Sequence, residues 1–198
     1  MKGKLTLMAC LLSMVIFCAE IANTFAQKPS AKPASSAIVK ESTKVKNSIV
    51  AFLQWYKVNL HEANKFPLLA KDSLGYYAVN KKAADDYLNF MRSSKWVSEK
   101  YIAYWITYFN DKAEMLKKEK LTSDMPEGFD FDFVLITQEP ELILNKITQL
   151  KMSIISMNAS TALVSVKLPS FADVAYEFEM YKENEVWKIG YISTPNYD

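Results

Sequence analysis

The chain has 198 residues, half of them hydrophobic, with 24 lysines and arginines against 22 aspartates and glutamates and a formal net charge of +2. The lysines are scattered between carboxylates, which argues against nucleic acid as a partner, since that would want a clustered basic surface. The length suits one domain once an amino-terminal segment is set aside.

Lys2 and Lys4 precede an apolar run from Leu5 to Ala19, and Thr24-Phe25-Ala26 places small residues where a signal peptidase reads. This predicts a signal peptide over residues 1–26 and an exported protein, periplasmic or secreted, with no stable membrane span after cleavage. An uncleaved anchor is the weaker alternative, because the run falls short of the ~20 residues a bilayer core asks for. Lipidation fits poorly: Cys10 comes early in the run, and bulky Phe17 precedes Cys18. Both cysteines fall within this segment, so the mature chain must rely on core packing rather than disulfides.

From Gln27 to Glu41 the chain is mostly Lys, Pro, Ser and Ala, with no aromatic residue to bury against an ordering cost of ~1–2 kcal/mol per residue. A flexible linker is expected there, followed by a single domain over 42–198. Between Ser42 and Asn64, the positions Val45, Ile49, Phe52, Leu53, Tyr56 and Leu60 repeat at helical spacing, with Ser42 or Thr43 as cap and Pro67 as stop. Leu74–Val79 reads as a short strand or an extended loop. Asn80 then caps a second helix to about Arg92, with Ala84, Tyr87, Leu88 and Met91 inward. A third helix, roughly Trp96 to Lys120, carries Tyr101, Trp105, Tyr108, Phe109 and Leu116 on one face, widened by Tyr104. Its last turn holds Lys117, Lys118 and Lys120, where cations favour the negative end of the dipole.

A long connection, Leu121–Glu141, follows, broken by Pro126, Gly128 and Pro140 and containing Asp130-Phe131-Asp132-Phe133. Four runs then alternate apolar and polar residues: Leu150–Met157, Thr161–Leu168, Asp173–Lys182 and Val186–Ser193. A period of two through four segments predicts half-buried antiparallel strands with one apolar face. The expected class is α+β, three helices packed on a curved antiparallel sheet of about four strands. The aromatic third helix then roofs a cavity or fills it.

The helix carrying Phe52, Trp55 and Tyr56, the segment Asp130–Glu139 with its Gln138, and the closing Trp187-Lys188-Ile189 resemble the exported bacterial proteins grouped as domain of unknown function 3828. Their fold is of the nuclear transport factor 2-like (cystatin-like) kind. The resemblance covers about Ser48 to Ser193 and implies a cone-shaped fold with an open mouth, without implying an activity. Where that family shows Gln-Asp, this chain has Gln138-Glu139.

Candidate chemistry is sparse. His61 is the only histidine, and no nucleophile motif accompanies it. One histidine and no mature cysteine leave no structural zinc site, and no cofactor is indicated. Asp130 and Asp132 alternate with Phe131 and Phe133, which puts both carboxylates on one side of an extended segment. They are weak catalytic candidates as a general base; the simpler reading has them capping turns while the phenylalanines anchor the loop. For ligand binding the candidates are aromatic: Tyr56, Tyr101, Tyr104, Trp105 and Tyr108 on the helices, and Tyr176, Trp187 and Tyr191 on the sheet. The strands supply no ionisable group on their inward face, and none is expected in the seam between sheet and helices. That favours a non-catalytic exported module binding a small apolar or sugar-like ligand or a protein partner. The alternatives are an isomerase- or hydrolase-type enzyme using a loop aspartate and a structural envelope domain. An open sheet also allows a homodimer.

Overall fold

The computed structural model of the protein describes residues 32–168 and 175–194, with side chains from residue 36 onward. The predicted signal peptide and the first residues of the predicted linker lie outside the described residues. The chain divides into two units, Met1–Ala37 and Ile38–Asp198. Apart from the opening turns of the first helix, everything below belongs to the second.

Helix α1 runs Lys32–Ala63. This corrects the expectation of a linker reaching Glu41 and a cap at Ser42 or Thr43: both hydroxyls donate back to the Val39 carbonyl at 2.9 Å, inside the helix. The cause is a long-range anchor that composition does not display. Glu41 accepts a hydrogen bond from Trp187 Nε1 at 3.0 Å and pairs with Lys182 at 3.3 Å. Downstream, Val45, Ile49, Phe52, Leu53 and Tyr56 are buried, as their spacing predicts.

Strands β1 (Leu69–Lys71) and β2 (Tyr77–Val79) form a small antiparallel hairpin. Asp72 Oδ1 accepts the Leu74 and Tyr76 amides across its turn, and Gly75 takes φ +83°, a left-handed geometry that glycine reaches without strain. Helix α2 (Lys81–Ser93) starts at Asn80, whose side chain accepts from the Ala83 amide at 3.1 Å. Helix α3 (Glu99–Glu119) starts three residues later than its apolar pattern suggests, capped by Ser98. The residues before it are diverted to the sheet. Trp96 O and the Ser98 amide each bond Ile189 at 2.8 Å, so this stretch covers the outer edge of the last strand.

After the long connection come a short helix α4 (Glu141–Leu144) and a 3₁₀ turn (Ile147–Gln149), neither of which the sequence pattern announced. Strands β3 (Lys151–Met157), β4 (Thr161–Lys167), β5 (Ala175–Glu183) and β6 (Val186–Ser193) form the second sheet, antiparallel in the order β3-β4-β5-β6. The protein is thus α+β, with helices packed against a four-stranded antiparallel sheet. One apolar core joins Phe52 and Leu53 of α1, Leu88 of α2 and Trp105 of α3 to Phe178 and Ile189 of the sheet.

Two irregularities change which side chains face inward. The pairing skips Ile155 in β3, leaving that side chain 52% exposed. In β6 it skips Gly190: Met180 pairs with Ile189 but Glu179 pairs with Tyr191. One extra residue reverses the alternation, so Ile192 is buried and Tyr191 is turned off the inner face where strict alternation puts it. A Cβ at residue 190 would overlap the Tyr181 ring, which explains a glycine at this position.

Candidate functional site

The connection between α3 and α4 is long, yet it is tied down from several sides. The Tyr77 amide donates to Leu121 O at 2.8 Å and Lys71 Nζ to Thr122 O at 2.7 Å, which fixes its start to the hairpin. Helix α3 holds the middle: Tyr108 Oη donates to Gly128 O at 2.6 Å and Lys112 Nζ to Glu127 O at 3.0 Å. Burial of the Tyr108 phenol raises its pKa to about 12. The far end closes as a turn, in which Asp132 and Thr137 form an isolated bridge and Ile136 sits at φ +50°. A long loop this well secured is usually functional.

Inside the turn, Asp132 Oδ1 accepts the Val134 amide at 3.1 Å and the Leu135 amide at 2.7 Å. Its other oxygen accepts a short hydrogen bond from Tyr56 Oη of α1. Burial pushes the carboxyl above its ordinary range, opposed by the phenol and the two amides. The seam therefore does contain an ionisable group, which corrects the sequence expectation. The strands supply none, as expected; the acid arrives from the loop, because the turn that satisfies Oδ1 also points Oδ2 at the helix layer.

Two more tyrosines surround this pair. Tyr87 of α2 and Tyr101 of α3 are buried, with hydroxyls that find no hydrogen-bond partner among the described residues. Burial drives both phenols, and that of Tyr56, far above their ordinary pKa, and the Asp132 charge adds to each. At neutral pH all three are neutral.

Above the cluster a cleft of about 350 Å³ opens between the end of α1, α2 and the loop. Phe66, Phe129, Phe131 and Phe133 wall it with Met125 and Tyr87, and Tyr56, Asn64 and Asp132 are the other polar residues that line it. The rings form a continuous network: Phe66 meets Tyr87 edge-on at 5.8 Å, Tyr87 meets Phe133 at 6.1 Å, and Phe131 meets Phe133 at 5.2 Å. A second hollow of about 340 Å³ adjoins it, sharing Asn64, Phe129, Phe131 and Asp132 and adding Asp130, Gln138 and Glu141. Apolar walls with a few converging polar groups are what small-molecule sites have in common.

Of the sequence candidates, only Tyr56 and Asp132 line the larger cleft; Asp130 joins Asp132 in the second hollow. The two aspartates differ in burial: Asp132 is half-buried at the start of the turn. Asp130 is exposed, 3.4 Å from the Gln138 amide nitrogen. Tyr101 lies buried behind the cleft, and Trp105, Tyr176 and Trp187 are core residues. Tyr108 serves as the loop anchor, while Tyr104 is 40% exposed and meets Tyr191 at 4.6 Å between ring centroids on another part of the surface. His61 is exposed in the last turn of α1. Sequence reasoning did not assign Phe66, Tyr87 or Phe129 to a site. The available signal was the Asp-x-Val-Leu stretch after Phe131, whose amides two and three residues on can tie down an aspartate.

Among the described residues no group of three His, Cys, Asp or Glu side chains is placed to hold a metal ion, and no helix is long and apolar enough to cross a membrane. No family model, no curated protein and no solved structure matches the chain.

Proposed function

We propose that the protein is an exported binding module whose cleft takes a small organic ligand with an apolar body and one polar end. The observation that carries this is the pairing of phenylalanine walls with the half-buried Tyr56–Asp132 bond in one cleft of about 350 Å³. Export rests on Lys2 and Lys4 before the apolar run Leu5–Ala19. A nuclear transport factor 2-like cone, of the domain of unknown function 3828 kind, is supported by helices preceding a four-stranded meander that closes on Trp187-Lys188-Ile189. Thermal-shift screening against sugars, sterols, bile acids and small aromatic alcohols tests the binding reading. A shift that Phe131→Ala reduces supports it; a panel without any shift removes it.

One observation favours a second reading, an isomerase- or hydrolase-type enzyme. Asp132 is a half-buried carboxyl with a raised pKa beside a phenol donor, the environment in which an acid serves as general base. Turnover that Asp132→Asn abolishes while ligand binding persists would move the assignment there.

A further inference from the structure

The charged side chains that line the cleft have one sign. The two adjoining hollows are lined by Asp130, Asp132 and Glu141 and by no lysine, arginine or histidine, in a chain whose cations outnumber its carboxylates. Aromatic faces attract cations through their quadrupoles, most strongly where water is excluded. Phe66, Phe129, Phe131 and Phe133 are half-buried beside Asp132, so ring surface and negative charge meet in one place. Asp132 Oδ1 is occupied by two amides, and Oδ2 takes a single hydrogen bond from Tyr56, which leaves it acceptor capacity. Tyr87, a wall of the same cleft, adds a further aromatic ring, with its hydroxyl buried. Metal chelation is not what these groups are arranged for, since no three of them converge on one point.

We infer that the cleft binds an organic ammonium ion, an alkyl- or aryl-substituted amine whose charged head sits by Asp132 and whose apolar part lies against the phenylalanines. This rests on the binding reading above and names its ligand class. The Asp132 carboxylate, whose ionised form a bound cation favours, and the Asp130 and Glu141 side chains nearby hold the head, while the rings exclude water from it and from the alkyl groups. Anions and zwitterions with a carboxylate near the amine are repelled by the same carboxylates.

The test is calorimetric titration of the purified protein with two matched pairs: choline against 3,3-dimethyl-1-butanol, and benzylammonium against benzyl alcohol. Each cation is expected to bind about tenfold or more tightly than its neutral partner. Asp132→Asn should erase most of that difference, and Phe131→Ala, on the half-buried loop, should weaken both members of a pair. If neutral and charged partners bind equally well, the ammonium inference fails while the cleft stands. If none of the four binds, the ammonium inference fails, and the binding reading falls with it only when the thermal-shift panel also shows nothing. Should Asp132→Asn unfold the protein, Glu141→Gln replaces it, and a cation preference that this change and 0.5 M salt both leave intact overturns the electrostatic account.

Discussion

Asp132 shows how one side chain serves both the loop and the site. Its carboxyl ties two amides of its own turn and a phenol from α1, so it orders the loop and charges the cleft together. Removing the phenol donor by Tyr56→Phe should destabilise the fold by ~1.5–3 kcal/mol at neutral pH, the usual worth of a hydrogen bond to a charged group. The loss should shrink in acid, where Asp132 is protonated and depends less on a donor; urea denaturation at the two pH values measures it. Tyr87→Phe should act in the opposite sense. Among the described residues no group stands at hydrogen-bonding geometry to its buried hydroxyl, so the variant should be as stable as the parent or more so by ~1 kcal/mol. A thermal melt that drops instead would mean that the hydroxyl already has a partner.

At the scale of elements, periodicity made most of the fold legible in the sequence. Asn80 and its downstream stripe gave α2 nearly to the residue, and four alternating runs gave the four strands. Three features escaped because each depends on a distant contact. Glu41, in the tenth position of α1, is held by Trp187, Trp96–Ser98 pairs with Ile189, and the β6 alternation breaks at Gly190. No local pattern shows any of these. For the site, Tyr56 and Asp132 were legible as residue types, but their bond was not, since it joins the first helix to a late loop. Gly190→Ala tests the bulge: the added methyl meets the Tyr181 ring, and such overpacking costs ~1–3 kcal/mol. A shifted urea midpoint with unchanged slope would report it.

For the whole molecule, two carboxylates pull the pH dependence of stability in opposite directions. Glu41, held to about 2 by Lys44 and Trp187, stabilises the fold above the ordinary glutamate range, and that contribution disappears as pH falls toward 2. Asp132 is raised, so its contribution is complete below the ordinary aspartate value and is lost as pH rises through its folded pKa. Stability should therefore fall as pH climbs from about 4 through the raised Asp132 value. Asp132→Asn should flatten that limb, and Glu41→Gln should flatten the acid limb below it. Urea midpoints across pH 2–8, on the scale set by the ordinary carboxylate values, separate the two.

The unequal borders of the four-stranded sheet limit how copies of this protein can join. The rim at β6 is already occupied at Ile189 by the stretch before α3, whereas β3 has no neighbouring strand on its outer side among the described residues. Among the described residues, a second molecule pairing backbone to backbone along β3 would do so in a two-fold arrangement that uses up that rim of both. Association by that route ends at a pair and does not propagate into a fibre.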